Sequence, residues 1–274
     1  MKLLALVVIF KRRLQDSRSL ITLGVQSDPP AMHLVVWDNS PEPRSREDRE
    51  WLNAMFSSCE YLHSSENLPL SHLYNEVINR WIKRRHGEFS HLLLLDDDSQ
   101  LDPAFLSVAA HSIREFPHVG LFLPIITARG RIVSPAHLIW VKGIHWRRAA
   151  LGLIRFKFKT AVNSGMIIAS RYLLDKFPGY PSSLSFYGTD NWFCDQYSKL
   201  EEFAVVFNSI IQHDLSQFNV EEVDVKLWRH RDWIRGLRVT NSAGFLRRQT
   251  CRIYTMLTCL RMVIRFRDRR FFDC

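Results

Sequence analysis

The chain reads as an α/β fold: a mostly parallel, Rossmann-like sheet flanked by helices, followed by a basic helical tail. Three observations predict it. Continuous apolar runs of strand length alternate with helical patterns through the first 125 residues, as strands covered on both faces require. Hydrophobic residues are 46% of the 274 and charged residues 24%, ordinary for a globular chain and too polar for a polytopic membrane protein. Charge is also segregated. From Lys226 to the end there are 13 Lys and Arg against 3 Asp and Glu, whereas the rest carries 24 against 25, so the overall +9 belongs to the tail.

The elements follow in order. Leu3–Phe10, Leu34–Trp37, Leu92–Leu95 and Val119–Pro124 are unbroken apolar runs and predict buried strands. Between them Ser17–Leu23, Arg46–Ser57, Leu70–Arg85 and Pro103–Phe116 have helical spacing, with Pro103 near the last helix start and Asp102 as its expected N-cap. Such alternation implies parallel strands joined by right-handed crossovers. The rhythm then changes: Thr127–Lys159, rich in Gly, Arg, His and Trp, predicts hairpins and loops. A strand (Gly165–Ala169), a helix (Arg171–Phe177), a turn (Pro178–Ser183), a helix (Asp190–Lys199) and a strand (Phe203–Phe207) complete the body. In the tail Leu246, Ile253, Leu257, Leu260 and Ile264 share one helical face, with Arg247, Arg252, Arg261 and Arg265 beside or opposite it. That face could lie in a membrane interface or pack on the body.

The longest apolar runs fall well short of the ~20 residues that span a bilayer. MKLLALVVIF is followed by Lys11, Arg12 and Arg13 with no small-residue cleavage site, so it predicts a first strand rather than an export signal. The five cysteines form no C-x-x-C pair, which predicts reduced thiols in a cytoplasmic setting.

Chemistry concentrates where four leucines run into Asp96, Asp97 and Asp98. Open α/β sheets bind ligands at the carboxyl ends of their strands. Three adjacent carboxylates there need a cation or donors to offset them, and hard oxygen ligands suit Mg²⁺ or Mn²⁺. Alternation along a strand lets Asp96 and Asp98 point one way and Asp97 another. Asp38 likewise ends an apolar strand, in VVWDNSP, where it could meet a base or ribose or form an Asx-turn. Asp190, in GTDNWF beside Trp192, is placed for a general base or an N-cap. Asn163, Ser164 and Gly165 predict a tight turn near a ligand. His213 could be a metal ligand or an ordinary hydrogen-bonded residue.

Together, in this order, VVIF, VVWDNSP, LLLLDDDS, NSGMIIAS, GTDNWF and His213 resemble a family 2 glycosyltransferase of GT-A fold, over roughly residues 2 to 215. ENLPLSHLYNEVINRW and the Asp96–Ser99 stretch are similar to its rhamnosyltransferase-like branch, with Pro69 where that branch often has Gly. The resemblance implies a catalytic domain over 1–220, its nucleotide-sugar half to about 125 and its acceptor half over 126–220, with a basic helical tail over 221–274. It implies that Asp38, Asp96 and Asp97 serve donor nucleotide binding, that Asp98 and His213 hold Mg²⁺ or Mn²⁺, that Asp190 is the catalytic base, and that Trp192 and Asn163 meet the acceptor. The implied reaction is inverting transfer of rhamnose or another hexose from a dTDP- or UDP-linked donor to a saccharide or lipid-linked acceptor, in surface polysaccharide synthesis. The expected place is the cytoplasm, peripheral on the inner membrane face, with the tail on an anionic membrane surface.

Two other readings compete. A catalytically silent scaffold of the same fold would dock through its tail. A metal-dependent phosphohydrolase also starts from a strand-borne Asp-x-Asp, but the haloacid-dehalogenase type usually has Thr or Val where Gln100 stands. A nucleic-acid partner is not expected, because only the tail mixes basic residues with aromatics.

Overall fold

Strand β1 (Lys2–Ile9) is paired on both sides in the computed structural model, which describes residues 2–212 and 222–274. With β2 (Ala31–Asp38), β3 (Cys59–His63) and β4 (His91–Asp96) it forms an all-parallel group in the order β3-β2-β1-β4. The sheet continues through β5 (Gln100–Leu101), β6 (Leu121–Ala128), β7 (Arg131–Ser134), β10 (Gly152–Arg155), β12 (Ile167–Ala169) and β13 (Phe203–Gln212); β8 (Ala136–Ile139), β9 (Lys142–His145) and β11 (Lys159–Thr160) make a small second sheet. The main path reads β10-β13-β6-β12-β4-β1-β2-β3. Strand β12 is antiparallel to both β4 and β6, while β13 runs parallel to β6. The fold class is the mostly parallel α/β sheet that the sequence predicts, with β12 reversed inside it and β5, β7 and β10 antiparallel at its margins.

Alternation along the strands builds two cores. Leu4 and Leu6 of β1, Val35 of β2 and Leu92 and Leu94 of β4 point to one face; Leu3, Ala5, Val7, Leu34, Val36, Leu93 and Leu95 point to the other. The first face is covered by α3 (Leu70–Val77) with its π-helical continuation Ile78–Lys83, α5 (Ser170–Asp175) and α6 (Thr189–Leu200). The second is covered by α1 (Arg18–Gly24), α2 (Arg46–Met55) and α4 (Phe105–Glu115). Burial on both sides is why these strands read as unbroken apolar runs. One local expectation is corrected: Asp102 is not the N-cap of α4. That position is Ala104, and the Asp102 carboxylate accepts from the Ala104 amide at 2.9 Å, one turn ahead of the helix.

The tail folds back on the body. Helix α7 (Val223–Thr240) packs on α6, and α8 (Phe245–Phe266) on α7. Gly188 and Gly236 let the α7 backbone touch the turn before α6: a Cβ on Gly188 would stand 2.8 Å from Gly236 Cα, and one on Gly236 3.0 Å from Gly188 Cα. The buried Asp232 carboxylate accepts from the backbone amides of Phe186 at 3.0 Å and Tyr187 at 2.9 Å. Arg247 of α8 pairs with Asp195 of α6 at 2.6 Å. Among the described residues no helix is long and apolar enough to cross a membrane.

Candidate active site

The strand ends define the site. Register sets Asp38 beside Ile9 and Asp96 beside Val8, so their backbones flank β1 at the carboxyl ends of the strands, about two strand spacings or ~10 Å apart. This is the crevice edge at which open α/β sheets take ligands.

The Asp96–Ser99 turn is held by serine hydroxyls. Ser17 Oγ donates to the Asp97 carbonyl at 2.9 Å. Ser19 Oγ donates to the carbonyls of Asp96 and Ser99 and receives the Ser99 amide at 3.1 Å. From the other side Ser164 Oγ accepts from the Asp96 amide at 3.1 Å and meets Ser99 Oγ at 2.5 Å. Asp97 lies in the turn past the end of β4, so strand alternation does not set its direction; it pairs with Arg12 at 3.3 Å, and burial pushes its carboxyl up to about 6 against the pull of that guanidinium.

Opposite this turn stands Asp190, second residue of α6. The helix starts at Gly188, whose φ of 91° sends the chain sharply into Thr189. Burial raises the Asp190 carboxyl to about 6, and the charge of Asp96 nearby adds to the rise. Tyr74 of α3 is close enough to feel both: burial, then Asp96 and Asp190, push its phenol well above its usual range, while the Asn163 side chain offsets part of the rise. Asn163 Nδ2 also donates to Thr189 Oγ1 at 2.9 Å, tying the loop before β12 to the start of α6. The next residues explain the Asn-Ser-Gly order. Gly165 has φ of 80°, and a Cβ there would come within 2.7 Å of Pro124 Cγ. Its amide donates to the Leu94 carbonyl at 2.7 Å, which draws Asn163 and Ser164 up to the β4 end.

The other expected residues are placed differently. Asp38 is fully buried; its Oδ2 accepts from Arg44 Nε at 2.9 Å and Tyr61 Oη at 2.7 Å, and its Oδ1 from the Ser40 amide at 3.2 Å. Trp192 is half-buried, with its indole N–H on the Gly179 carbonyl at 3.0 Å. His213 lies outside the described residues. The structure thus sets Asp96 and Asp190 near each other and near Tyr74, ties Asn163 to the start of α6, and leaves Asp38 on the far side of β1. Sequence reasoning missed Tyr74, which looks like one more core residue of an apolar helix face, and Ser17, Ser19, Arg12 and Arg44, whose partners are distant in sequence.

Among the described residues no three His, Cys, Asp or Glu side chains converge on one point. Mg²⁺ and Mn²⁺ sites built on phosphates need only one or two protein carboxylates, and Asp96 and Asp98 of this turn are the ones that could serve one.

Comparison with known proteins agrees on the fold. No family model matches the chain, and no curated protein sequence does. Among solved structures it is similar to S. aureus TarS, at 17% identity and TM-score 0.54, over 89% of this chain and 45% of that one. It is also similar to S. aureus TarS 1-349 in complex with UDP-GlcNAc (13%, TM-score 0.58, 88% of this chain and 66% of that one). GalNAc-T7 with UDP, GalNAc and Mn²⁺ is a third (11%, TM-score 0.55, 82% and 46%). The chain therefore spans about half the length of TarS and of GalNAc-T7. At such identities the likeness shows the fold alone, a GT-A-like one.

Proposed function

We propose that the protein is a nucleotide-sugar-dependent, inverting glycosyltransferase. The observation that carries this reading is Asp96-Asp97-Asp98-Ser99 at the end of β4 facing Asp190 at the start of α6, within a GT-A-like sheet. The neighbours that bear UDP, UDP-GlcNAc or GalNAc support a uridine or related diphosphate donor, dTDP included. Residues 1–220 form the catalytic unit, with donor binding before about 125 and the acceptor side after it; 221–274 are the tail.

Asp98, with Asp96 beside it, would hold Mg²⁺ or Mn²⁺, as the Mn²⁺ bound by one neighbour supports. Such a cation supplies neutralisation of charge on the donor diphosphate. Asp97 and Asp38 serve the nucleoside, Asp97 through its pairing with Arg12 and Asp38 through the Arg44–Tyr61 network. On the acceptor side Asn163 positions Asp190, and Trp192 offers a ring edge to a sugar. Asp190 takes the proton from the acceptor hydroxyl as that oxygen attacks the anomeric carbon. The bond from that carbon to the diphosphate oxygen breaks on the opposite face, and its electron pair leaves with the nucleoside diphosphate. The acceptor is a saccharide or a lipid-linked saccharide, the transferred group rhamnose or another hexose, and the setting is the cytoplasmic side of a membrane where surface polysaccharide is built.

The test is release of nucleoside diphosphate from UDP- and dTDP-sugars with Mn²⁺ and a lipid-extract acceptor. Wild type should turn over, Asp190→Asn should lose at least about 100-fold in rate, and the product should have inverted anomeric configuration. Donor binding with no turnover under any acceptor would favour the silent scaffold.

A further inference from the structure

Helix α8 is mounted the reverse way from an ordinary surface helix. The face toward the body is Cys251, Thr255 and Cys259, all buried. The opposite face is apolar and exposed: Phe245 71%, Leu246 65%, Ile253 57%, Met256 60%, Leu257 54%, Leu260 42% and Ile264 69%. At about 100° per residue these seven cover roughly one third of the circumference. Sequence reasoning identified this face and left open whether it packs inward; it does not.

The charges around that face choose its partner. Helix α8 has five arginines and no acidic residue. Arg252 borders the stripe on one side and Arg261 on the other, which is where long basic side chains can reach headgroups while the stripe enters the acyl boundary. A second copy of α8 would set arginine against arginine with no carboxylate on the helix to offset it. Beside the helix, Val141 at the β8–β9 turn packs with Leu237 and Cys251, and its neighbour Trp140 is 61% exposed. An indole at that position suits the headgroup layer.

From this arrangement we infer that the outer face of α8 lies flat in an anionic phospholipid surface, with Trp140 at its margin. Because Arg247 joins α8 to α6, and Asp232 and Gly236 join α7 to the Gly188 turn, such docking holds Asp190 at a fixed orientation to the lipid plane. That consequence rests on the transferase reading; the docking itself does not.

Co-sedimentation of the full chain with phosphatidylcholine vesicles, with and without phosphatidylglycerol, tests it without any activity measurement. The chain should bind the anionic vesicles and release with added salt. At about 1 kcal/mol per basic residue near the surface, the pair Arg252→Ala with Arg261→Ala should weaken partition roughly 30-fold. Ile253→Ser with Leu257→Ser should weaken it at least tenfold, while melting temperature is unchanged because both positions are exposed. Absence of vesicle binding by wild type overturns the inference. So does binding to neutral vesicles equally well with both double variants. A dimer of the free chain that dissolves on Ile253→Ser with Leu257→Ser, while vesicles bind neither form, also overturns it by making the face a self-interface.

Discussion

Replacing Gly236 by Ala should destabilise the protein and slow it, although the same change inside most helices does the opposite. Gly236 sits well inside α7 (Val223–Thr240), where Ala is favoured over Gly by about 0.5–1 kcal/mol. Here the new methyl would meet backbone, not a movable side chain: the carbonyl of Tyr187, and Gly188 Cα at 3.0 Å. Overpacking of that kind costs about 1–3 kcal/mol, so the net change should be a loss of roughly 1–2 kcal/mol. The collision pushes on the Gly188 turn, two residues before Asp190, and a misplacement of about 1 Å at a reacting group can cost 100-fold in rate. Urea denaturation gives the first quantity through the midpoint at constant slope. Nucleotide release under saturating donor gives the second, with kcat falling at least tenfold while donor KM changes little, because the donor-side turn is held by α1 and Ser164 rather than by α7. A Gly236→Ala protein as stable as wild type or more so, with unchanged kcat, would show that α7 does not set the position of Asp190.

Three further outcomes follow from the geometry. Asp190 must be ionised to act, and its carboxyl is raised to about 6, so the pH–rate profile should fall as pH drops below about 6, on a limb that Asp190→Asn removes; a profile flat down to pH 5 would exclude this base. The same shift has a stability side: a carboxyl raised from 3.8 to about 6 in the fold gives stability that is present below the unfolded value and lost as pH rises through the folded one. Asp190→Asn should thus gain about 1–3 kcal/mol at pH 8 and little at pH 4, read by denaturation at the two pH values. Ser19→Ala removes the hydroxyl shared by the Asp96 and Ser99 carbonyls and the Ser99 amide; stability should drop by about 1–3 kcal/mol and Mn²⁺-dependent nucleotide affinity should weaken, and unchanged affinity would mean the turn needs no such support.

Much of the fold was legible because burial on both faces writes itself as apolar runs: Leu3–Phe10, Leu92–Leu95 and Val119–Pro124 correspond to β1, β4 and β6 within a few residues. Strand β3 was not, since Cys59–His63 is a half-buried edge strand with mixed side chains and no periodic signal. The Asp96–Ser99 turn was readable from its charge density, and Asp190 from its place after a glycine. What the sequence hid is long-range support. Ser19 and Ser99 are 80 residues apart, and Asp38 and Tyr61 meet only because β2 pairs with β3. The tail was half legible: its amphipathic period was clear, but which face turns inward depends on Gly236, Asp232 and Arg247 finding α6 and its turn, which periodicity alone does not encode.

The most direct measurement is calorimetric titration of UDP and of dTDP into the intact protein, with and without Mn²⁺, alongside Asp98→Ala. The account predicts that one of these nucleotides binds tightly only with the cation, and that Asp98→Ala abolishes the cation-dependent part while leaving the fold melting as wild type. Tight nucleotide binding that ignores both the cation and Asp98→Ala, or no binding of either nucleotide under any condition, would contradict it.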